Sequence, residues 1–385
     1  MNKMARLVTI ALTSLTVVVL MSSALTQTPR MPTVSQVPAV EKPTQMARPL
    51  FAILQNNKIG YIDRRGTIAI KPQFGTRLYR SYSVSDAEEF AFQNGLALVK
   101  VGRQFGYINP AGRIAIKPQF ADAKPFHENL TAVKVGDRWG FIDATGKRVI
   151  PPAFQSVENF SEGLAQVWSG DKYRFADRAG RVVIDPGFSV LNNSHFSDGL
   201  AVVLTVEQTS GFIDKTGTFV IPPKLVGAGH FSEGLASVIV GNKRGFIDKT
   251  GRVAIAPTFD EVGHGFSEGL ATARVDGKWG YIDKTGTWTI APQFQQAQSF
   301  SQGLARVAVS IDENNPLGKI GYIDKTGKRV ISPQFADASD FRGDLAAVVT
   351  GFDNGWSYVD RTGKLVWQRL AEYRHASRTF WGCLS

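Results

Sequence analysis

The chain has 385 residues, 43% hydrophobic and 20% charged, a globular balance that excludes disorder over most of its length. Lys and Arg outnumber Asp and Glu by 44 to 33, a net charge of +11 that suits anionic partners in general and selects none of them. Its single cysteine, Cys383, excludes an internal disulfide and a metal site built on thiolates.

The first 24 residues carry Lys3 and Arg6, then a short run rich in apolar residues, Leu7–Met21, then Ser22-Ser23-Ala24. A charged start, a short apolar run and a small-residue exit predict a secretory signal cut after Ala24. A spanning helix needs about 20 apolar residues, so an uncleaved membrane anchor is the alternative. Residues 25–48 hold four prolines and no apolar period, which predicts an extended linker.

From residue 49 to 370 one pattern recurs. DKTG stands at 214–217, 248–251, 283–286 and 324–327, each time after Gly, an aromatic and Ile. The Gly recurs as Gly60, Gly106, Gly140, Gly211, Gly245, Gly280 and Gly321, with Arg174 and Ser357 standing in for it in two copies. The nine positions are spaced by 46, 34, 34, 37, 34, 35, 41 and 36 residues, a base period of 34–35 with insertions. In the third copy, LTAVKV predicts a first strand and Gly136-Asp137 a two-residue turn. RWGFID predicts a second strand, in which Gly140 leaves room for a neighbouring backbone or ring. Asp143-Ala144-Thr145-Gly146 follows. Its Asp can accept a hydrogen bond from the backbone two residues on, and its Gly takes a left-handed conformation. Asp143 with Gly146, Asp214 with Gly217, Asp248 with Gly251, Asp283 with Gly286 and Asp324 with Gly327 are therefore predicted turn residues. The third run ends in Ile-x-Pro, where proline stops the pairing, and a Phe lies two residues further on. A loop then leads to Phe-Ser-Glu-Gly-Leu-Ala or a variant, which opens the next unit. Three short strands are too small to fold alone, so each unit needs neighbours. The last copy replaces Ile-x-Pro with Trp367-Gln368-Arg369 and is predicted to cap the array; the tail 371–385, with Trp381 and Cys383, is assigned no role.

Trp139-Gly140-Phe141-Ile142-Asp143 and Trp279-Gly280-Tyr281-Ile282-Asp283, with Ile-x-Pro-x-Phe and Phe-Ser-Glu-Gly-Leu-Ala downstream, resemble the bacterial WG-repeat proteins. The resemblance covers about 320 residues and specifies a repeat more than an activity. The Trp gives way to Ile59, Phe105, Ser210, Arg244 and Ile320, which argues against a fixed indole pocket. The fold class expected is all-β, a tandem array of about nine three-stranded β-meander repeats. Two arrangements accommodate it, an open superhelical array and a closed ring like a β-propeller. Propellers typically have four to eight blades of four strands, and the sequence holds back no strand to close a ring, so the open array is the favoured expectation.

No HExxH or GxxxxGK[ST] motif is present, and no catalytic, cofactor or metal site is predicted. Two rows of side chains recur in the loop before the third-to-first-strand crossing. His195, His230 and His264 lie one unit apart and read either as an anion or metal column or as a tolerant loop position. Glu162, Glu233 and Glu268, with Glu128 and Asp198 in equivalent places, read either as a cation-binding or acid/base groove or as turn carboxylates facing Lys215, Lys249 and Lys284. These six residues are the candidate binding surface. The function expected is that of an exported, non-catalytic binding or scaffold module of the bacterial envelope, periplasmic, surface-bound or secreted. Its partner would be another protein or an envelope polysaccharide such as peptidoglycan, not nucleic acid, with the membrane engaged only through the N-terminal segment. A carbohydrate-active envelope enzyme would need two convergent carboxylates, and a charge-driven binder of anionic polymers would use the Lys and Arg of the turns.

Overall fold

The computed structural model describes residues 49–76, 84–185, 194–205, 207–309, 318–350 and 355–369. The predicted signal segment, linker and tail lie outside them, and no helix among them is long and apolar enough to cross a membrane.

Nine antiparallel sheets follow one another along the chain, one per repeat, and form the blades of a nine-bladed propeller ring. In blade 3, Leu130–Val135 pairs with Arg138–Asp143, which pairs with Arg148–Phe154. The predicted turns join them: Gly136 has φ 57° and Gly146 φ 84°. A fourth element escaped the sequence reading. Residues Asp122–Ala123 form a two-residue strand along the outside of the first strand, and five blades carry such a strand, whereas the fourth strand of blade 5, Phe196–Ser197, is an arm of its own hairpin. Single bridges, Gly75 to Lys100 and Val226 to Ile239, take its place in blades 2 and 6. A two-residue strand leaves no periodic signal, so the three-stranded expectation is corrected to four-element blades.

The core lies in the seams between blades. One cluster joins Leu130, Phe141 and Ile150 of blade 3 to Val157, Phe160 and Val167 of blade 4. At its centre the Phe of one unit's Phe-x-x-Gly hairpin meets the second-strand aromatic of the unit before, Phe160 against Phe141 at 4.8 Å and Phe231 against Phe212 at 4.6 Å, both edge-on. Each Asp-x-x-Gly glycine sits on the Ile of the preceding unit, as Gly146 does on Ile116.

The ring closes with the same contacts made by other residues. Blade 1 has Phe51 where later blades have Ala97, Ala165 or Ala201, and its ring meets Tyr358 of blade 9 at 5.6 Å. Trp356, fully buried, donates from Nε1 to the Ala52 carbonyl at 2.9 Å, and the Tyr358 hydroxyl donates to the same oxygen at 2.8 Å. Gly66 lies against Val366 as Gly146 lies against Ile116. Helix α1, Val84–Glu89, comes from the insertion that lengthens the first interval, and its Val84 and Ala87 join this cluster. The arrangement is therefore the closed ring, the alternative in the sequence reading, and not the favoured open array. Closure needs no exchanged strand because side chains of blades 1 and 9 bury one another.

Candidate functional site

The Phe-x-x-Gly hairpins carry both predicted rows. In blade 4, Ser161 and Leu164 exchange backbone hydrogen bonds around Glu162 and Gly163, whose φ values are 51° and 85°. Positive φ at both central residues is the two-residue hairpin that matches strand twist. Glu233, Glu268 and Asp198 repeat that conformation, with φ between 51° and 54°.

A left-handed Glu is unfavourable by itself, and its carboxylate recovers the cost by reaching the next blade. Glu162 accepts from the Gly199 N–H at 3.1 Å, Glu233 from Gly269 at 3.1 Å and Glu268 from Gly303 at 3.1 Å. Glu128 accepts from Gly163 at 3.1 Å and Asp198 from Gly234 at 2.6 Å. The second residue of the next blade's Asp-x-x-Gly turn completes each latch. Lys215 pairs with Glu162, Lys284 with Glu233 and Lys325 with Glu268, all at 3.0 Å, and Arg178 with Glu128 at 2.6 Å. Lys249 instead donates to the Asp198 carbonyl at 2.6 Å. Burial pushes the Glu233 carboxyl up, but Lys284 and the Gly269 N–H outweigh it and hold the group below the usual carboxylate range. The serine of the motif, passed over in the sequence, adds a third tie: Ser161 Oγ donates to the Phe196 carbonyl at 2.7 Å and Ser267 Oγ to Phe300 at 2.8 Å. Glu162, Glu233 and Glu268 thus face lysines and the neighbouring backbone, spread one per seam rather than gathered around one point.

The histidines divide. His195 and His230 stack at 4.0 Å between centroids with planes 16° apart, bridging blades 5 and 6. His230 Nδ1 is buried without a hydrogen-bond partner. Burial, reinforced by His195, pushes the His230 pKa down to about 4. His264, one unit on, is exposed and outside the stack. Among the described residues no three His, Cys, Asp or Glu are grouped to hold a metal ion.

The turn aspartates act on their own loops. Asp143 Oδ1 accepts from the Thr145 N–H at 2.9 Å, the Thr145 hydroxyl at 2.6 Å and the Lys147 N–H at 3.1 Å. The hydroxyl, ahead of the backbone donors, holds its carboxyl below the usual range. Asp214, Asp248, Asp283 and Asp324 repeat the 2.6 Å threonine bond.

What remains outward is the rim formed by the starts of the third strands. Ile68, Ile114, Val182, Val253, Val330 and Leu365 are 38–58% exposed. Exposed Arg113, Lys147, Arg252, Lys328 and Lys364 stand at or beside the same strand starts and make no ion pair among the described residues. The basic edge read from the sequence is therefore two sets of cations: those engaged in latches and those left on the rim.

The structure of a eukaryotic initiation factor aligns with 83% of this chain and 95% of its own at a TM-score of 0.55 and 11% identity, a likeness of fold alone. The computationally designed Ika8 protein aligns with 75% of this chain and 96% of its own (TM-score 0.44, 12% identity). AztD from Citrobacter koseri aligns with 73% and 92% (TM-score 0.38, 15% identity). No curated protein matches in sequence. The profile of the WG containing repeat matches seven times, at residues 105–139, 139–173, 173–205, 211–243, 245–279, 279–309 and 320–351. These seven matches follow the same units that the latches join into a ring, and the chain belongs to the family of WG-repeat proteins.

Proposed function

We propose that this protein is an exported, non-catalytic ring that serves as a binding or scaffold module at the bacterial cell envelope. The observation that carries this reading is the rim. The recurrent polar residues are consumed by the fold, the aspartates within turns and the glutamates between blades. The repeated feature left to solvent is a row of β-branched and leucine side chains beside unpaired cations. Such a row presents the same mixed apolar and cationic site several times around one ring, which suits a long or repetitive partner with anionic groups. A peptidoglycan strand or another envelope polysaccharide has that character. The charged, apolar and small-residue order of residues 1–24 supports export.

The test is fractionation of cells expressing the full chain, followed by sedimentation of the recovered protein with isolated peptidoglycan at low and high salt. The expected result is recovery from the envelope fraction and co-sedimentation that weakens but persists in salt, because apolar rim contacts are not screened. Recovery from the cytosol would refute export. Absence of co-sedimentation at either salt would refute the wall ligand and redirect the search to a protein partner.

A further inference from the structure

The ring has one seam unlike the others, and a cavity of about 310 Å³ opens there. At the regular seams the space beside each first strand is filled by the next unit's Phe-x-x-Gly hairpin. Blade 1 starts at Phe51 with no such hairpin among the described residues, and α1 covers only part of the gap. The walls are largely apolar, with Leu50, Phe92, Leu345 and the Tyr358 ring among them.

Two charged side chains stand on these walls. Arg342 takes the place that Ser161, Ser232 and Ser267 hold in other blades, where the serine hydroxyl reaches the next hairpin. With no next hairpin to reach among the described residues, an exposed guanidinium stands at the mouth. Glu88, half-buried, comes from α1 on the opposite side of the seam. Asp340, also on the wall, is held by Arg306 at 2.8 Å, whereas Arg342 and Glu88 form no ion pair among the described residues. Both lie near the Tyr358 hydroxyl: burial raises its pKa, Arg342 opposes that shift and Glu88 adds to it. The volume is at the lower end for small-molecule sites, and apolar walls with few polar groups are their usual make-up.

We propose that the closing-seam cavity binds a small zwitterion with an apolar body, an amino acid or dipeptide, whose carboxylate meets Arg342 and whose ammonium meets Glu88. This inference does not depend on the rim or on export. The chemistry follows from the pairing: a cation and an anion without ion-pair partners among the described residues share a site too small for a polymer, and a ligand carrying both charges satisfies each.

The experiment is calorimetric titration of the full chain with leucyl-leucine, with its N-acetyl derivative and with its C-terminal amide. Saturable binding of the dipeptide is expected, weakened about tenfold or more by either blocking group. Arg342→Gln should abolish the advantage of the free carboxylate and leave the N-acetyl effect intact; Glu88→Gln should do the reverse. Arg342→Lys, which keeps the charge, should retain part of the affinity. Neither residue has an ion-pair partner among the described residues, so each variant should keep the parent melting temperature, and a variant that melts early is replaced by its conservative counterpart. Lack of saturable binding at millimolar dipeptide, or equal binding by parent and both variants, would overturn the proposal.

Discussion

Blades 3 and 4 are consecutive copies of one unit, yet their third strands differ. In blade 3, Ile150 pairs with Phe141 and Phe154 with Trp139, so Pro151-Pro152-Ala153 arches over a single residue, Gly140. An added Cβ at Gly140 would stand 2.5 Å from the Ile150 carbonyl oxygen and 2.8 Å from Pro152 N. In blade 4 that position is Arg174, and the described part of the third strand is Val182–Ile184. The guanidinium holds Asp185, the next residue, at 3.1 Å instead. Blade 9 has Ser357 at the same place and Arg369 where the other third strands have proline. The seven blades that keep the glycine all have seven-residue third strands. The glycine is thus the floor over which the proline-containing strand passes.

The largest effect should come from filling that floor. Gly140→Ala forces backbone apart and should cost about 3 kcal/mol or more. Arg174→Gly should cost about 1 kcal/mol, for the lost ion pairs and added chain freedom. Urea unfolding of the two variants decides the matter; equal costs would remove the glycine from its role.

Much of this was legible in the sequence. The Asp-x-x-Gly turns and the glycine that makes room follow from local chemistry within one period. Closure was not, because it rests on contacts 304 and 306 residues apart, Trp356 and Tyr358 to Ala52. Phe51 in an alanine position and the 46-residue first interval were the available signs, and only the fold gives them meaning. The hairpin latches join a Glu to a lysine some 50 residues on, a separation that periodicity alone does not select between neighbours.

A second contrast lies between seams. His230 is stacked and partly buried, whereas His264, in the equivalent loop, is exposed. The folded pKa of His230, about 4, lies below its unfolded value. The unfolded chain therefore takes up the proton first. The stabilisation is complete above about pH 6.5, falls as the pH drops towards 4 and changes no further below it. The loss should be on the order of 2 kcal/mol, less than the full shift would give because the imidazole is partly open to solvent. His230→Phe should flatten the stability profile across that window, as measured by urea midpoints at successive pH values. An unchanged slope in His230→Phe would assign the pH dependence elsewhere.

The smallest effect tests the latches, and blade 2 supplies the means. Its hairpin has Asn94 where Glu162 and Glu233 stand, and blade 3 has Ala144 where Lys215 and Lys284 stand. The seam between them therefore lacks the carboxylate–lysine pair. Asn94 has φ 50°, a conformation asparagine tolerates better than glutamate. Asn94→Glu alone should be neutral or destabilising by a few tenths of a kcal/mol, and Ala144→Lys alone close to neutral. Together they should recover the ion pair seen at other seams, with a coupling of about 0.5–1 kcal/mol in a double-mutant cycle that shrinks in high salt. Additive variants would mean that the lysine adds nothing and that the carboxylate's bond to the next backbone N–H is the part of the latch that holds the blades.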